Sequence, residues 1–173
     1  ELAKECIINA RNNTNLPVSV KTRLGFTFTE EYQNWLSFLL KLNLSALTVH
    51  LRTRKEMSKV SAHFELIPEI INLRDSISPH TKLIINGDIK NKSMCEQLAT
   101  KYPSIDGFMI GRGVFQNPYC FTHFTSNKKS LLNLFLYHLD LFDNYAKQTH
   151  YPYEPLKHFF KIYINTYDGT SEL

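Results

Sequence analysis

The stretches GFMIGRGVFQNPYCF, residues 107–121, and LIINGDI, residues 83–89, are built alike. In the first, Phe108, Met109 and Ile110 form a short apolar run that stops at Gly111-Arg112-Gly113. In the second, the run stops at Asn86-Gly87-Asp88. Short apolar runs bounded by glycine read as buried strands that empty into loops, with a helix to follow. Backbone N–H groups of such a loop, with a helix N-terminus behind them, can hold a phosphate. Arg112 adds a planar, permanently charged fork. The expectation is that these two strand ends grip a phosphorylated cofactor. The competing reading is a pair of plain strand-to-helix turns.

The same rhythm runs upstream. Residues 2–10 carry apolar side chains at helical spacing, and Asn12 to Pro17 end that helix. Residues 18–23 read as a strand, and Thr29-Glu30-Glu31 as the cap of a helix over 30–42. Its expected buried stripe is Tyr32, Trp35, Leu36, Leu39 and Leu40. Residues 45–49 read as the second strand, with His50 at its end, and residues 64–73 as a helix. Lys82 to Ile85 is the third strand, and 92–101 a helix around Met94, Leu98 and Ala99. The strand centres fall roughly 28, 36 and 25 residues apart, which suits successive β-α units with parallel pairing.

Each unit keeps its unusual residues at the C-terminal end of its strand. They are Lys21 and Arg23, then His50 and Arg52, then Asn86 to Asp88, then Gly111 to Gly113. Four consecutive units loaded at that edge favour an α/β fold of the (β/α)8 TIM barrel kind. A doubly wound sheet concentrates its site where the strand order reverses. Four strands are half of such a barrel. Together with the abrupt sequence at both ends, this leads to the expectation that the chain is a piece of a longer protein. Residues 1–125 are read as the second half of the barrel. Residues 126–173, where dense apolar residues fill 130–148, are read as the start of an all-helical domain.

Totals set outer bounds. The chain has 173 residues, 43% hydrophobic and 21% charged, enough for one domain or one and a piece. No apolar run is long enough to span a bilayer, so no membrane partner is expected. Cys6, Cys95 and Cys120 show no metal-ligand or disulfide-scaffold spacing, and a reducing compartment follows as the default. The net charge of +4 suits a nucleic-acid partner without pointing to one.

Several residues can carry chemistry. A lysine such as Lys21 in a barrel mouth is costly unless an anionic or electron-rich group meets it. It can form a Schiff base, bind phosphate, donate to a cofactor ring, or pair with a carboxylate. His50 can move a proton or donate a hydrogen bond near neutral pH, or be structural. His50, His63 and His80 lack metal-ligand spacing, and no metal is expected. Arg52, Arg54, Lys55 and Lys59 make a basic loop beyond His50, which suits a polyanionic substrate or a plain solvated loop. Asp88 can bind a cofactor hydroxyl or cap the next helix. Asp106 precedes its strand, on the stability side, and is given no chemical role.

PVSVKTRLG, ALTVHLRTRKEM, LIINGDI and GFMIGRGVFQNPYCF together resemble the flavin-dependent tRNA-dihydrouridine synthases, in order and spacing. The resemblance covers residues 1–125 well and the tail less specifically. It implies strands five to eight of a (β/α)8 barrel. It implies that Lys21 contacts the flavin ring of FMN and that His50 lies near flavin and uracil. It also implies that Asn86, Gly87 and Asp88 bind FMN, and that Gly111 and Arg112 meet its phosphate. The implied activity is reduction of tRNA uridine to 5,6-dihydrouridine in the cytoplasm, with NADPH as reductant and a cysteine donating the proton to C5. Arg23, Arg52, Arg54, Lys55 and Lys59 are the expected tRNA contacts, and the full-length protein is expected to be a monomer.

The sequence departs from the family pattern in two places. No cysteine here matches the proton donor, which sits in the family's earlier half; Cys6 and Cys95 read as core. Leu51 stands where the family's HGRT motif has glycine, and added bulk beside the site is expected. The alternatives are another FMN barrel oxidoreductase, such as a dihydroorotate or ene-reductase relative, or an inactive fragment with residual RNA binding.

Overall fold

Parallel pairing of four short strands organises the first half of the chain. The computed structural model describes residues 2–164, except the side chains of Lys161 and Ile164. The strands are β1 (Ser19–Arg23), β2 (Ala46–His50), β3 (Lys82–Asn86) and β4 (Gly107–Met109). They form one parallel sheet in the order β1-β2-β3-β4, so among the described strands there is no reversal of order.

Helices α1 (Leu2–Asn12), α2 (Tyr32–Leu40), α3 (Ile67–Ile77) and α4 (Lys92–Lys101) belong with these strands. Period-two alternation sends Leu47, Val49, Leu83 and Ile85 to one sheet face, where all four are fully buried. They pack with Leu36, Leu39 and Leu40 of α2 and with Ile67 and Ile70 of α3. Each such aliphatic side chain contributes about 1.5–3 kcal/mol on leaving water. The α2 stripe is as expected, with Trp35 only partly buried and its Nε1 donating to Thr22 Oγ1 at 2.7 Å.

Four expectations change. Thr29 does not cap α2; the Glu31 carboxylate accepts from the N–H groups of Phe26, Thr27 and Phe28, at 2.8, 3.0 and 2.8 Å. Helix α3 runs on to Ile77, because the Arg74 guanidinium is buried and bonded at that end. Cys6 is exposed rather than core, since α1 buries only Ile7, whereas Cys95 is partly buried and packs against the core. Ala99 lies on the exposed side of α4.

Asp106 behaves as a structural residue. Its carboxylate accepts from Arg74 Nη1 at 2.9 Å and from the Leu83 N–H at 2.8 Å.

The chain divides into two compact units. One comprises residues 1–89 and 93–111; the other comprises 90–92 and 112–173. The second contains a single turn, α5 (Gly113–Gln116), the 22-residue α6 (Lys128–Thr149), and the short α7 (Glu154–Lys157) and α8 (Phe160–Ile164). Asn127 caps α6: its Oδ1 accepts from the Ser130 N–H, while Ser130 Oγ accepts from the Asn127 N–H, both at 2.9 Å. Phe135 of α6 packs against the rings of Phe160 and Tyr163, with centroids 5.2 Å apart in each case. The expected helical restart over 156–163 is thus split between α7 and α8. The last residues of the sequence, 165–173, lie outside the described part.

Candidate functional site

Strand register brings the candidate residues into rows. Arg23, His50, Asn86 and Met109 are successive neighbours across the sheet, and Lys21, Thr48 and Ile84 form the row before them. Side chains at paired positions of a parallel sheet share a face. Leu47, Val49, Leu83 and Ile85 fill the helix-covered face, so Lys21, Arg23, His50 and Asn86 occupy the opposite one. Lys21 lies mid-strand and exposed; Asn86 is buried and donates through Nδ2 to the Met109 carbonyl at 2.8 Å.

The strands hand their register on to the loops. The segments after β1 and β2 run together: Leu24 N–H donates to Arg52 O, Arg54 N–H to Gly25 O, and Lys55 N–H to Phe26 O. Arg23 Nη1 donates to Thr53 O at 2.8 Å. Leu51 N–H donates to Asn86 O at 2.9 Å, continuing the β2–β3 ladder. Leu51 itself is fully buried in the core. Alternation turns it away from His50, so the bulk expected beside the site is absorbed by packing instead.

The turn after β3 is tightly constrained. Gly87 has φ +120°, and an added Cβ would lie 3.0 Å from the Ala62 Cβ and 3.7 Å from His50 Cε1. Asp88 follows at φ 51°, uncommon for a residue with a side chain. Its Oδ2 accepts from Arg52 Nη2 at 2.5 Å and from the Ala62 N–H at 2.9 Å. Helix α4 begins only at Lys92, so Asp88 holds a neighbouring loop rather than capping that helix.

The basic segment is divided by this bonding. Arg54, Lys55 and Lys59 are exposed, whereas Arg52 is 3% exposed and bonded to Val60 O through Nε at 2.6 Å. The loop also has fasteners that the sequence reading missed. Glu56 accepts from the Thr53 N–H at 2.6 Å and meets His63 Nε2 at 2.8 Å, while His63 Nδ1 meets Glu65 at 2.8 Å. The Thr53-x-x-Glu56 spacing was the available signal, a capping-box pattern outside a helix.

Gly111 is exposed and closes the first unit; Arg112, also exposed, opens the second. The helix expected behind them is only the single turn α5, so a macrodipole can contribute little there.

Charge on the open face is lopsided. Burial, then the cations Arg23, Lys21 and Arg52, push the His50 pKa down to about 4, against a smaller opposing pull from Asp88. Burial and then Arg23 also lower the pKa of Lys21. His50 is therefore neutral at pH 7. Its buried Nδ1 has no hydrogen-bond partner, and neither has the buried Nη1 of Arg52. The unpaired His50 nitrogen beside a row of donors fits a planar or anionic ligand. Among the described residues, no cluster of His, Cys, Asp or Glu is arranged to hold a metal, and no helix is long and apolar enough to cross a membrane.

His50, at the end of β2, and His63, in the loop beyond it, titrate in opposite senses. His50 has its folded pKa below the usual 6.5, so between about 4 and 6.5 the unfolded chain binds more protons. Its contribution to stability is lost as pH falls through that window. At His63 burial opposes the charge, but the bonds to Glu56 and Glu65 prevail and hold its pKa above the usual value. Its contribution is complete below about 6.5 and is lost as pH rises through the raised folded pKa. Urea midpoints measured against pH are expected to fall less steeply below 6.5 in His50→Gln than in the unaltered protein.

Comparison with known proteins gives the family. A family model described as dihydrouridine synthase matches residues 1–172. A probable tRNA-dihydrouridine synthase 2 of Bacillus subtilis is 51% identical over 169 residues, covering 96% of this chain and 52% of the relative. Probable tRNA-dihydrouridine synthases of Staphylococcus aureus strain Mu50 and Staphylococcus epidermidis strain RP62A are 49% and 48% identical over 169 residues. Those matches cover 96% of this chain and 51% and 52% of the relatives. The chain thus spans about half the length of the curated relatives it matches.

Proposed function

The chain belongs to the dihydrouridine synthase family, and we propose that the protein carrying it reduces uridine in tRNA to 5,6-dihydrouridine. The observation that carries this reading is the paired row of Arg23, His50 and Asn86, with Lys21 one row before it, on the sheet face that the helices leave open. On this reading the four strands are the second half of a (β/α)8 barrel. Their sequential parallel order and the half-length match to relatives support it. Residues 1–125 then belong to the barrel and 126–173 to the start of a helical domain.

FMN bound at this face, with NADPH as reductant, supplies the hydride chemistry at uracil C6. Lys21 presents its ammonium to the electron-rich ring, and Arg23 sits one row further toward the strand ends. His50, neutral at pH 7, offers a ring nitrogen for orientation without adding charge. Asn86, Gly87 and Asp88 form the turn against which the cofactor rests, and Gly111 and Arg112 meet its phosphate. The proton for C5 comes from a cysteine outside these 173 residues. Cys6 and Cys95 lie on helices covering the other sheet face, and Cys120 is buried in the second unit. The isolated chain is accordingly expected to hold FMN weakly and to be inactive.

Turnover of the intact protein with NADPH on unmodified tRNA tests the reading. Mass spectrometry of the digested tRNA should find uridines that have gained a hydrogen pair. Reduction of a small enone or oxidation of dihydroorotate, with tRNA untouched, would favour another flavin oxidoreductase instead.

The exposed cations define a second test. Arg54, Lys55 and Lys59 are proposed phosphate contacts of the tRNA. Replacing all three with alanine is expected to weaken tRNA binding and reduce its salt slope by about 2–3. Flavin affinity should not change.

A further inference from the structure

Within the basic segment, only Arg52 among the four cations is withdrawn from solvent. A phosphate contact gains nothing from burial, and a buried guanidinium carries a desolvation cost that pairing only partly offsets. The bonding shows where the charge is used. Arg52 Nη2 reaches Asp88 at 2.5 Å, and the same carboxylate oxygen takes the Ala62 N–H. Arg52 Nε holds Val60 O at 2.6 Å. One ion pair thereby joins the segment after β2 to the turn after β3.

That turn needs holding. Gly87 and Asp88 both have positive φ, and the space around Gly87 is closed by Ala62, Leu51 and His50. A residue such as Asp88 keeps a left-handed backbone only where its surroundings over-determine it. The arrangement is also a poor stabilising device, since the buried Nη1 of Arg52 is left unpaired. Its value lies in geometry. Arg52 fixes Asp88, Asp88 fixes the turn, and the turn abuts the His50 ring.

We propose that Arg52 is a positioning residue that acts through Asp88 to set the turn after β3 and the placement of His50, and does not contact tRNA. This rests on the flavin reading above. The groups that bear electrostatically on His50 are Lys21 and Arg23 from β1, Arg52 from the following loop, and Asp88 from the turn.

The test uses the intact protein and the variants Arg52→Met, Arg52→Lys, Asp88→Asn and Arg52→Met/Asp88→Asn. FMN affinity is measured by flavin fluorescence on stripped protein, the His50 pKa by proton NMR, and tRNA binding as a function of salt. Arg52→Met and Asp88→Asn should each weaken FMN binding at least roughly tenfold. The double variant should lose less than the product of the single losses, because the two groups act as one. Lysine should not rescue, since it lacks the fork that reaches Val60 and Asp88 together. The His50 pKa should rise in Arg52→Met, where a nearby cation is gone, and fall in Asp88→Asn, where an anion is gone. General loosening of the fold cannot produce those opposite shifts. The tRNA salt slope should match that of the unaltered protein. Asp88→Asn, which preserves volume, keeps the test available if Arg52→Met does not fold. Unchanged FMN affinity in Asp88→Asn, or a salt slope reduced by about one in Arg52→Met, would overturn the proposal. If the unaltered protein binds no FMN, the flavin reading itself fails.

Discussion

Arg74→Met should lower the stability of the first unit by about 3 kcal/mol. The Arg74 guanidinium is almost fully buried at the N-terminal side of the sheet. It donates to Thr81 O at 3.0 Å, to Ser104 O at 2.8 Å and to Asp106 at 2.9 Å. Those partners lie just before β3 and β4, so one side chain ties the end of α3 to two strand entries. Its bond to Asp75 adds little, because that carboxylate is half exposed. Methionine fills much of the volume but leaves two carbonyls without their donor and Asp106 without its counter-charge. An unsatisfied buried acceptor costs about 1–3 kcal/mol, and the partial exposure of Asp106 keeps the total near the lower end of the sum. Urea denaturation measures this loss. Asp106→Asn should cost less, since its side-chain oxygen can still accept from the Leu83 N–H. A loss below about 1 kcal/mol for Arg74→Met would show that the network is dispensable.

Lys21→Met carries the largest expected effect on activity. Lys21 is exposed on the open sheet face, so the change should alter stability by no more than about 0.5 kcal/mol. Its proposed task is to hold positive charge where negative charge develops on a bound ring. Removing a positioned donor of that kind typically costs about 10²–10³-fold in rate. Turnover on tRNA should fall by that order while the urea midpoint stays put. Arginine should not restore it, because a planar fork places its donors differently from a compact ammonium. A Lys21→Met protein that turns over normally would remove Lys21 from the mechanism.

Much of the architecture was legible because the strands announce themselves. Each apolar run of β1 to β4 is short and is followed by a polar or glycine-containing segment, and the structure places all four within a residue or so of the reading. Helix ends were harder to read. The third helix was expected to end at residue 73, but the buried guanidinium of Arg74 rewards another turn of α3. Cys6 and Ala99 show the limit of periodicity. An apolar residue at helical spacing is buried only if its face meets the sheet, and theirs do not.

At the site, local sequence singled out candidate residues but not their orientations. Lys21, Arg23, His50 and Asn86 share a face because of parallel register, which could be inferred once the strands were placed. Arg52 could not be read locally. Its partner Asp88 lies 36 residues away, and nothing in LRTRKEM distinguishes the buried guanidinium from the exposed one at Arg54. Leu51 was misread for the same reason, since its side chain follows the core and not the motif.

A structure of the intact protein with bound FMN tests the central claim most directly. The flavin ring should lie over the open face, with Lys21 Nζ and a His50 ring nitrogen at hydrogen-bonding distance, roughly 3 Å, from its polar atoms. A flavin bound elsewhere, with Lys21 and His50 facing only solvent or other protein side chains, would contradict the account.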